Sequence, residues 1–338
     1  MMRSAVRLAA GVLALTSFGQ AGENPRFLAA DVHVNGRPTW FGAHPAWWSQ
    51  GVNMITFMAP HSRIVAIAFA AFFGIHADAQ DVGHLHHVHL NVTDIDRTTE
   101  FYHRIFGVVP LKYNNKGPAL LMERSFLFLT KREPGTIGNH ERTGLTHFSW
   151  GGVDGNHEYQ WLKNQGVEFY TPLGELGPGA TYMYLYGPDK EVIEIYDTDR
   201  HHRFNHVHIQ AQNPGETADW FHSLIQSKDV MTTGPLGGKN LTVDDVAFAI
   251  HTTKDRFTPR EYDGTLLPTD NTNLDHIAFS FRDLTAAYKR IKKDGVAIVR
   301  PMSVDPEYGF RHFFVRAPNG ILVELVEARP WPEAAWER

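Results

Sequence analysis

Cysteine is absent from the 338 residues. Disulfides, thiolate nucleophiles, iron–sulfur clusters and thiolate zinc sites are therefore all excluded. Any metal must bind through nitrogen and oxygen. No run of basic residues occurs, and 32 Lys and Arg stand against 37 Asp and Glu for a net charge of -5. The phosphate-neutralising stripe that nucleic acid or an anionic membrane surface requires is missing. What is present is a chain long enough, at 43% hydrophobic residues, to bury a core in one or two domains. It also carries 20 histidines, the commonest metal ligand and the side chain that titrates nearest neutral pH.

Residues 58–80 read as a secretory signal. Met58-Ala-Pro-His-Ser-Arg63 is a basic start, Ile64 to Ile75 an apolar run, and Ala77-Asp78-Ala79 a small-residue cleavage site before Gln80. The run is shorter than the roughly 20 apolar residues of a permanent span. Met1 to Gly19 repeats the basic-then-apolar pattern, and Ala21 closes a second small-residue site. Two leaders in series are redundant. Met58 or Met54 is accordingly read as the true start and residues 1–57 as an over-extended reading frame, the alternative being one N-terminal anchor followed by a linker. Residues 1–80 are set aside as leader. The mature protein is expected to begin near Gln80, to lack an integral membrane span, and to be secreted or periplasmic.

From residue 81 onward one plan recurs four times, and internal repeats govern how such a chain is read. Each copy opens on an alternating strand: His87-Val-His-Leu-Asn-Val-Thr-Asp94, His147-Phe-Ser-Trp-Gly-Gly-Val-Asp154, His206-Val-His-Ile-Gln-Ala-Gln-Asn213 and His276-Ile-Ala-Phe-Ser-Phe-Arg-Asp283. In every copy a His stands seven residues before an Asp or Asn. That Asp or Asn suits a helix N-cap, and Pro214 suits the first helical position. Helical spacing follows, and Gly107, Gly166 and Gly295 fall where a C-terminus wants a left-handed residue. Short strands complete each copy. The second and fourth copies close with a Pro-containing turn and a strand bearing Glu194 or Glu324, 47 residues after His147 and 48 after His276.

Phe101-Tyr102-His-Arg-Ile-Phe-Gly107, Gly187-Pro188-Asp189 and Ala317-Pro318-Asn319-Gly320 resemble the signatures of the vicinal oxygen chelate superfamily, which holds glyoxalase, bleomycin-resistance and type I extradiol dioxygenase proteins. The resemblance covers residues 84–329. It implies an α+β fold of four βαβββ modules paired into two incomplete β-barrels, here residues 81–200 and 201–329, with a tail at 330–338.

Pairing modules in sequence order gives each unit two imidazoles and a carboxylate: His87, His147 and Glu194 in the first, His206, His276 and Glu324 in the second. Two neutral imidazoles and one carboxylate form the facial arrangement that holds a divalent metal and leaves positions open. In relatives with this pattern the matching positions are the metal ligands. Fe(II) or Mn(II) suits such a set, with Zn or Ni as alternatives. The closing strands of the first and third modules, Ser125-Phe-Leu-Phe-Leu-Thr130 and Val246-Ala-Phe-Ala-Ile250, lack the Glu that glyoxalase-type relatives supply there.

His89 and His208 lie two residues after His87 and His206 and so share their strand faces. They are candidates for acid or base groups beside the metal or for a polar barrel lining, as are Tyr184 and His312 on the strands before the closing turns. His86 competes with His87, since a slip of one residue exchanges the two faces. His84, His201 and His202 read as polar strand openings. In ring-cleaving relatives a Tyr occupies the position of Tyr184 and a His stands several residues earlier, where this chain has Leu176 and Gly177. The fourth module carries His312 and has Phe314 in place of the Tyr. The expectation is an exported metal-dependent enzyme acting on a small substrate with vicinal oxygens, dioxygenase-like. The alternatives are a glyoxalase-type lyase or isomerase and a metal-free small-ligand-binding barrel of the bleomycin-resistance kind.

Overall fold

The computed structural model describes residues 81–197, 201–227, 232–233, 238–252 and 264–327, together with a two-residue ribbon at His33–Val34 and Arg37–Pro38. The leader at 58–79 and the tail at 330–338 lie outside the described residues. The chain divides into two units, Met1–Ala70 and Ala71–Arg338, and the second carries the four repeats.

The four modules are as the repeats predict. The first runs β1 (His84–Val92), α1 (Ile95–Phe106), β2 (Val109–Tyr113), β3 (Gly117–Met122) and β4 (Ser125–Lys131). The second runs β5 (Leu145–Gly151), α2 (Gly155–Asn164), β6 (Phe169–Gly177), β7 (Ala180–Tyr186) and β8 (Val192–Tyr196). The third runs β9 (Phe204–Ala211), α3 (Pro214–Ile225), β10 (Thr232–Thr233), β11 (Lys239–Val243) and β12 (Val246–Thr252). The fourth runs β13 (Leu274–Phe281), α4 (Leu284–Lys293), β14 (Ile298–Val304), β15 (Arg311–Arg316) and β16 (Leu322–Glu327). All four capping residues act as expected: Asp94, Asp154, Asn213 and Asp283 accept from the amides of Arg97, His157, Glu216 and Ala286. Each such cap is worth about 1 kcal/mol. Gly107 ends α1 at φ 68, while α3, which has no glycine there, ends on Gln226 at φ 53.

The pairing of modules differs from sequence order. One eight-stranded sheet has the order β14-β15-β16-β13-β1-β4-β3-β2 and joins the first module to the fourth. The other has the order β10-β11-β12-β9-β5-β8-β7-β6 and joins the second to the third. The repeat spacing identifies four equivalent modules but not their partners, because every module offers the same first-strand edge. Long-range contacts make the choice. Leu274, His276 and Ala278 of β13 face Leu90, His89 and His87 of β1, Asn91 N donates to Asn273 O (3.1 Å), and the Asp81 carboxylate accepts from the amides of Arg282 and Asp283 (3.1 and 2.7 Å). Each sheet is an open, incomplete barrel.

A continuous hydrophobic core lies between the two sheets and takes in the inward sides of the helices. Phe279 of the first sheet and Phe248 of the second meet there at 5.5 Å between ring centroids. Strand alternation places Val88, Leu90, Ile277 and Leu325 in this core and turns His87, His89, His276 and Glu324 to the opposite face.

Helix α1 also bridges to the second sheet, where Tyr102 donates to Glu191 Oε1 (2.7 Å) in the turn between β7 and β8. Burial pushes the Glu191 carboxyl up to about 7, against the opposing hydrogen bond from Tyr102. The folded protein therefore holds a proton that the unfolded chain releases near pH 4.5. The associated stability is full below that pH and falls as pH rises to about 7, by an amount on the order of 3 kcal/mol. Glu191→Gln is expected to flatten this fall, as read from melting temperatures of both proteins between pH 5 and 8. Parallel pH profiles for the two would contradict the assignment.

Candidate metal centres

The nested pairing redistributes the six sequence candidates. His87, expected with His147 and Glu194, instead stands with His276 and Glu324. His206, expected with His276 and Glu324, stands with His147 and Glu194. His147, Glu194 and His206 group with His208 as possible ligands, and His87 and His276 group with His89; Glu324, which groups with His312 and Asp305, meets both His87 and His276 through Oε2.

In the second sheet, His147 Nε2 and His206 Nε2 lie 3.1 and 2.8 Å from the same Glu194 oxygen, Oε2. In the first sheet, His87 Nε2 and His276 Nε2 lie 3.1 and 3.2 Å from Glu324 Oε2. Ligand atoms at about 2.1 Å from one ion and at right angles to each other are separated by about 3.0 Å. The nitrogen-to-oxygen separations of both triads match that spacing. His87 Nε2 is fully buried at 3.1 Å from Glu324 Oε2.

Protonation states suit the same purpose, since a metal competes best for imidazoles that are already neutral. Burial holds His147 below its usual range and His208 well below it. It does the same for His87 and, more strongly, for His89. Burial works to raise Glu194 and Glu324, but hydrogen bonds from their histidines overcome it and hold both carboxylates well below the ordinary value. His276 is the exception. Burial opposes its charge, yet Asp275 and Glu324 raise it to about 9, so an ion at that site displaces a proton.

Four irregularities in strand register aim the neighbouring side chains. At the centre of the first sheet, His86 of β1 and Asp275 of β13 are extra residues relative to the opposing strand. In the second sheet the equivalents are Asn205 of β9 and Thr146 of β5. Such a bulge turns two successive residues toward one side. Of the competing His86 and His87, it is His87 that faces Glu324 Oε2, and His86 stands beside it with Nδ1 2.8 Å from His87 Nδ1 and Nε2 3.0 Å from the Tyr113 hydroxyl. The bulge also sets Asp275 Oδ1 2.6 Å from His276 Nδ1, where the second sheet has only the Thr146 hydroxyl, 3.2 Å from His147 Nδ1.

The other sequence candidates fall into place by the same pseudo-symmetry. His89 stacks on His276 at 4.4 Å and bonds the Thr130 hydroxyl through Nε2 (3.0 Å). His208 lies 4.4 Å from His147, and Tyr184 5.0 Å from it, ring to ring. His312 contacts the second oxygen of Glu324, with Asp305 3.8 Å behind it. His84 pairs with Asp244 (2.8 Å) and His202 with Glu158 (3.3 Å), both away from the triads.

Residue identity separates the two centres most at one position. Phe128 of β4 faces His89, and Ala249 of β12 faces His208. Phe128 is fully buried and stacks on His87 at 4.1 Å and 14°. Ala249 is half-buried, as are its strand neighbours Ala247 and His251, with His251 4.4 Å from His208. Phe128, Asp275, Thr146, Asp305, Tyr308 and His251 also stand around the two triads and are not marked by the His-to-cap repeat. A signal was present in the aligned strands Ser125-Phe-Leu-Phe-Leu and Val246-Ala-Phe-Ala-Ile, where the face turned to the site carries Phe126 and Phe128 in the first and Ala247 and Ala249 in the second.

The Glyoxalase/Bleomycin resistance protein/Dioxygenase superfamily model matches residues 84–195 and 203–325, and the chain belongs to that superfamily. Among solved structures it is similar to glyoxalase I from Zea mays, at 16% identity and a TM-score of 0.55 over 73% of this chain and 93% of that one. It is likewise similar to a putative dioxygenase from Bacillus subtilis subsp. subtilis str. 168, at 17% identity and a TM-score of 0.53 over 75% and 87% of the two chains. A search of curated proteins gave no match. At these identities the solved structures speak for the fold alone.

Proposed function

We propose that the protein is a divalent-metal-dependent enzyme that acts on a small substrate carrying two vicinal oxygens, by a dioxygenase-like reaction, with its working centre at His147, Glu194 and His206. The observation that carries this reading is the convergence of two imidazole nitrogens on one carboxylate oxygen beside the half-buried, small Ala249. Three protein donors on one face leave the opposite positions for substrate. A bound Fe(II) or Mn(II), or Zn or Ni in their place, would polarise the two substrate oxygens as a Lewis acid. The half-buried His251 lines the approach beside His208. Tyr184 packs edge-on to His147 and fixes that ring, while Tyr182 and Tyr170 supply aromatic walls.

The test is oxygen uptake by the full chain, purified without oxygen, loaded with Fe(II) or Mn(II) and offered catechols. Metal-dependent uptake is expected. Isomerisation of a thiol hemiacetal without uptake would move the protein to the glyoxalase-type reading. Failure to bind metal under every loading condition would leave a metal-free ligand-binding barrel.

Export is part of the same proposal, supported by the basic start, short apolar run and Ala77-Asp78-Ala79 site. Among the described residues no helix is long and apolar enough to cross a membrane. N-terminal sequencing of protein recovered from an expressing cell's periplasm or medium is expected to begin near Gln80. Recovery only from the cytosol with residues 1–57 intact would contradict export.

A further inference from the structure

The centre in the first sheet has the same three donors but different surroundings. Phe128 covers His87, and Tyr308 stacks on the far side of Phe128 at 4.1 Å and 13°. Tyr308 is 1% exposed. Its hydroxyl accepts from Leu129 N and lies 3.1 Å from the carbonyls of Leu129 and Pro118. It fits only because residue 117 is glycine, since a Cβ there would sit 2.4 Å from the Tyr308 ring. The turn that carries Tyr308 is tied at several points. Asp305 Oδ1 accepts from the amides of Glu307 and Tyr308, Asp305 N donates to Phe310 O, and Asn114 Nδ2 donates to Tyr308 O. Phe128 and Tyr308 join Tyr113, Phe126 and Phe310 in a second apolar cluster on the face that bears the triad. In the second sheet the equivalent β6–β7 connection is only Pro178-Gly179. Among the described residues it has no counterpart of Tyr308.

The groups behind the donors differ as well. Asp275 orients His276, and its other oxygen accepts from Asn91 Nδ2 (2.9 Å) and Asn271 N (2.6 Å). His86 backs His87, and His312 occupies Glu324 Oε1. Outer hydrogen bonds of this kind fix ligand orientation, and an apolar shell limits solvent access. A catalytic site keeps a coordination position open, whereas a structural one is enclosed.

We propose that His87, His276 and Glu324 hold a divalent ion as a sealed, structural metal site that fastens the first module to the fourth and turns over no substrate. The proposal rests on the reading that both triads bind metal. Its ligands come from the two ends of the folded repeat array, so a bound ion closes a long loop and adds its binding energy to folding.

The experiment loads the full chain with Co(II), counts equivalents, and follows release to excess EDTA. Two equivalents are expected, one leaving at least about tenfold more slowly than the other because its outer shell excludes solvent. Glu194→Ala should remove the fast equivalent and Glu324→Ala the slow one, the latter lowering the melting temperature more. Phe128→Leu and Tyr308→Ala should each bring the slow release toward the fast rate. The milder Phe128→Leu keeps the test valid where Tyr308→Ala does not fold. Two equivalents that leave together, with neither aromatic variant changing the rate, would overturn the sealed site and leave the metal reading standing. No bound Co(II) at all would overturn both.

Discussion

Glu194→Ala is expected to remove one of two metal equivalents and to lower metal-dependent turnover by more than about 100-fold. Glu194 Oε2 is the oxygen that both His147 and His206 approach, at 3.1 and 2.8 Å. Without it the two imidazoles have no anionic partner to complete the facial set, and two neutral nitrogens hold a divalent ion weakly. Loss of an outer hydrogen-bonding partner alone typically costs 10- to 100-fold in affinity or activity, so loss of a ligand must exceed that. Elemental analysis and oxygen uptake on the same preparation measure both effects. The Glu194→Gln variant separates charge from shape, and it should retain the fold while binding metal poorly. Full metal content with full turnover in Glu194→Ala would remove the second sheet's triad from the reaction.

Ala249→Phe is expected to silence the same centre without emptying it. Ala249 takes the place beside His208 that Phe128 takes beside His89. In the first sheet that aromatic ring lies flat on a ligand histidine. At the half-buried position 249 a phenyl ring is expected to cover the approach that substrate requires. The expected outcome is a fall in kcat/KM of at least about tenfold, equivalent to about 1.4 kcal/mol, with metal content unchanged. An unaltered kcat/KM would show that substrate does not enter past this strand. The reverse substitution, Phe128→Ala, leaves a cavity in a packed cluster and costs about 3–5 kcal/mol of stability, which is why Ala249→Phe is the cleaner experiment.

Much of this architecture can be read from the chain. The four His-to-cap spacings mark four strands, and each cap Asp or Asn is found accepting the amide its position demands. The six candidate ligands are legible because they recur in register, and all six lie in the two triads. Two features escape such reading. The first is partner choice, since equivalent edges carry no local mark of which edge they meet. The joining of first to fourth and second to third module depends on contacts such as Asn91 with Asn273, 182 positions apart in the chain. The second is the set of bulges. A strict two-residue alternation places His86 opposite His87 and Asp275 opposite His276, whereas the extra residues bring each pair to one side. The contrast between Phe128 and Ala249 stands in the sequence, but it gains meaning only once β4 and β12 are known to flank equivalent histidines.

The most direct test of the account counts metal in paired variants. If the triads are His87–His276–Glu324 and His147–His206–Glu194, the double variant His87→Ala/Glu324→Ala strikes one centre and should lose one equivalent of two. The double variant His87→Ala/Glu194→Ala strikes both and should lose both. The opposite pattern, one equivalent lost in His87→Ala/Glu194→Ala and two in His87→Ala/Glu324→Ala, would contradict the nested centres and restore pairing in sequence order.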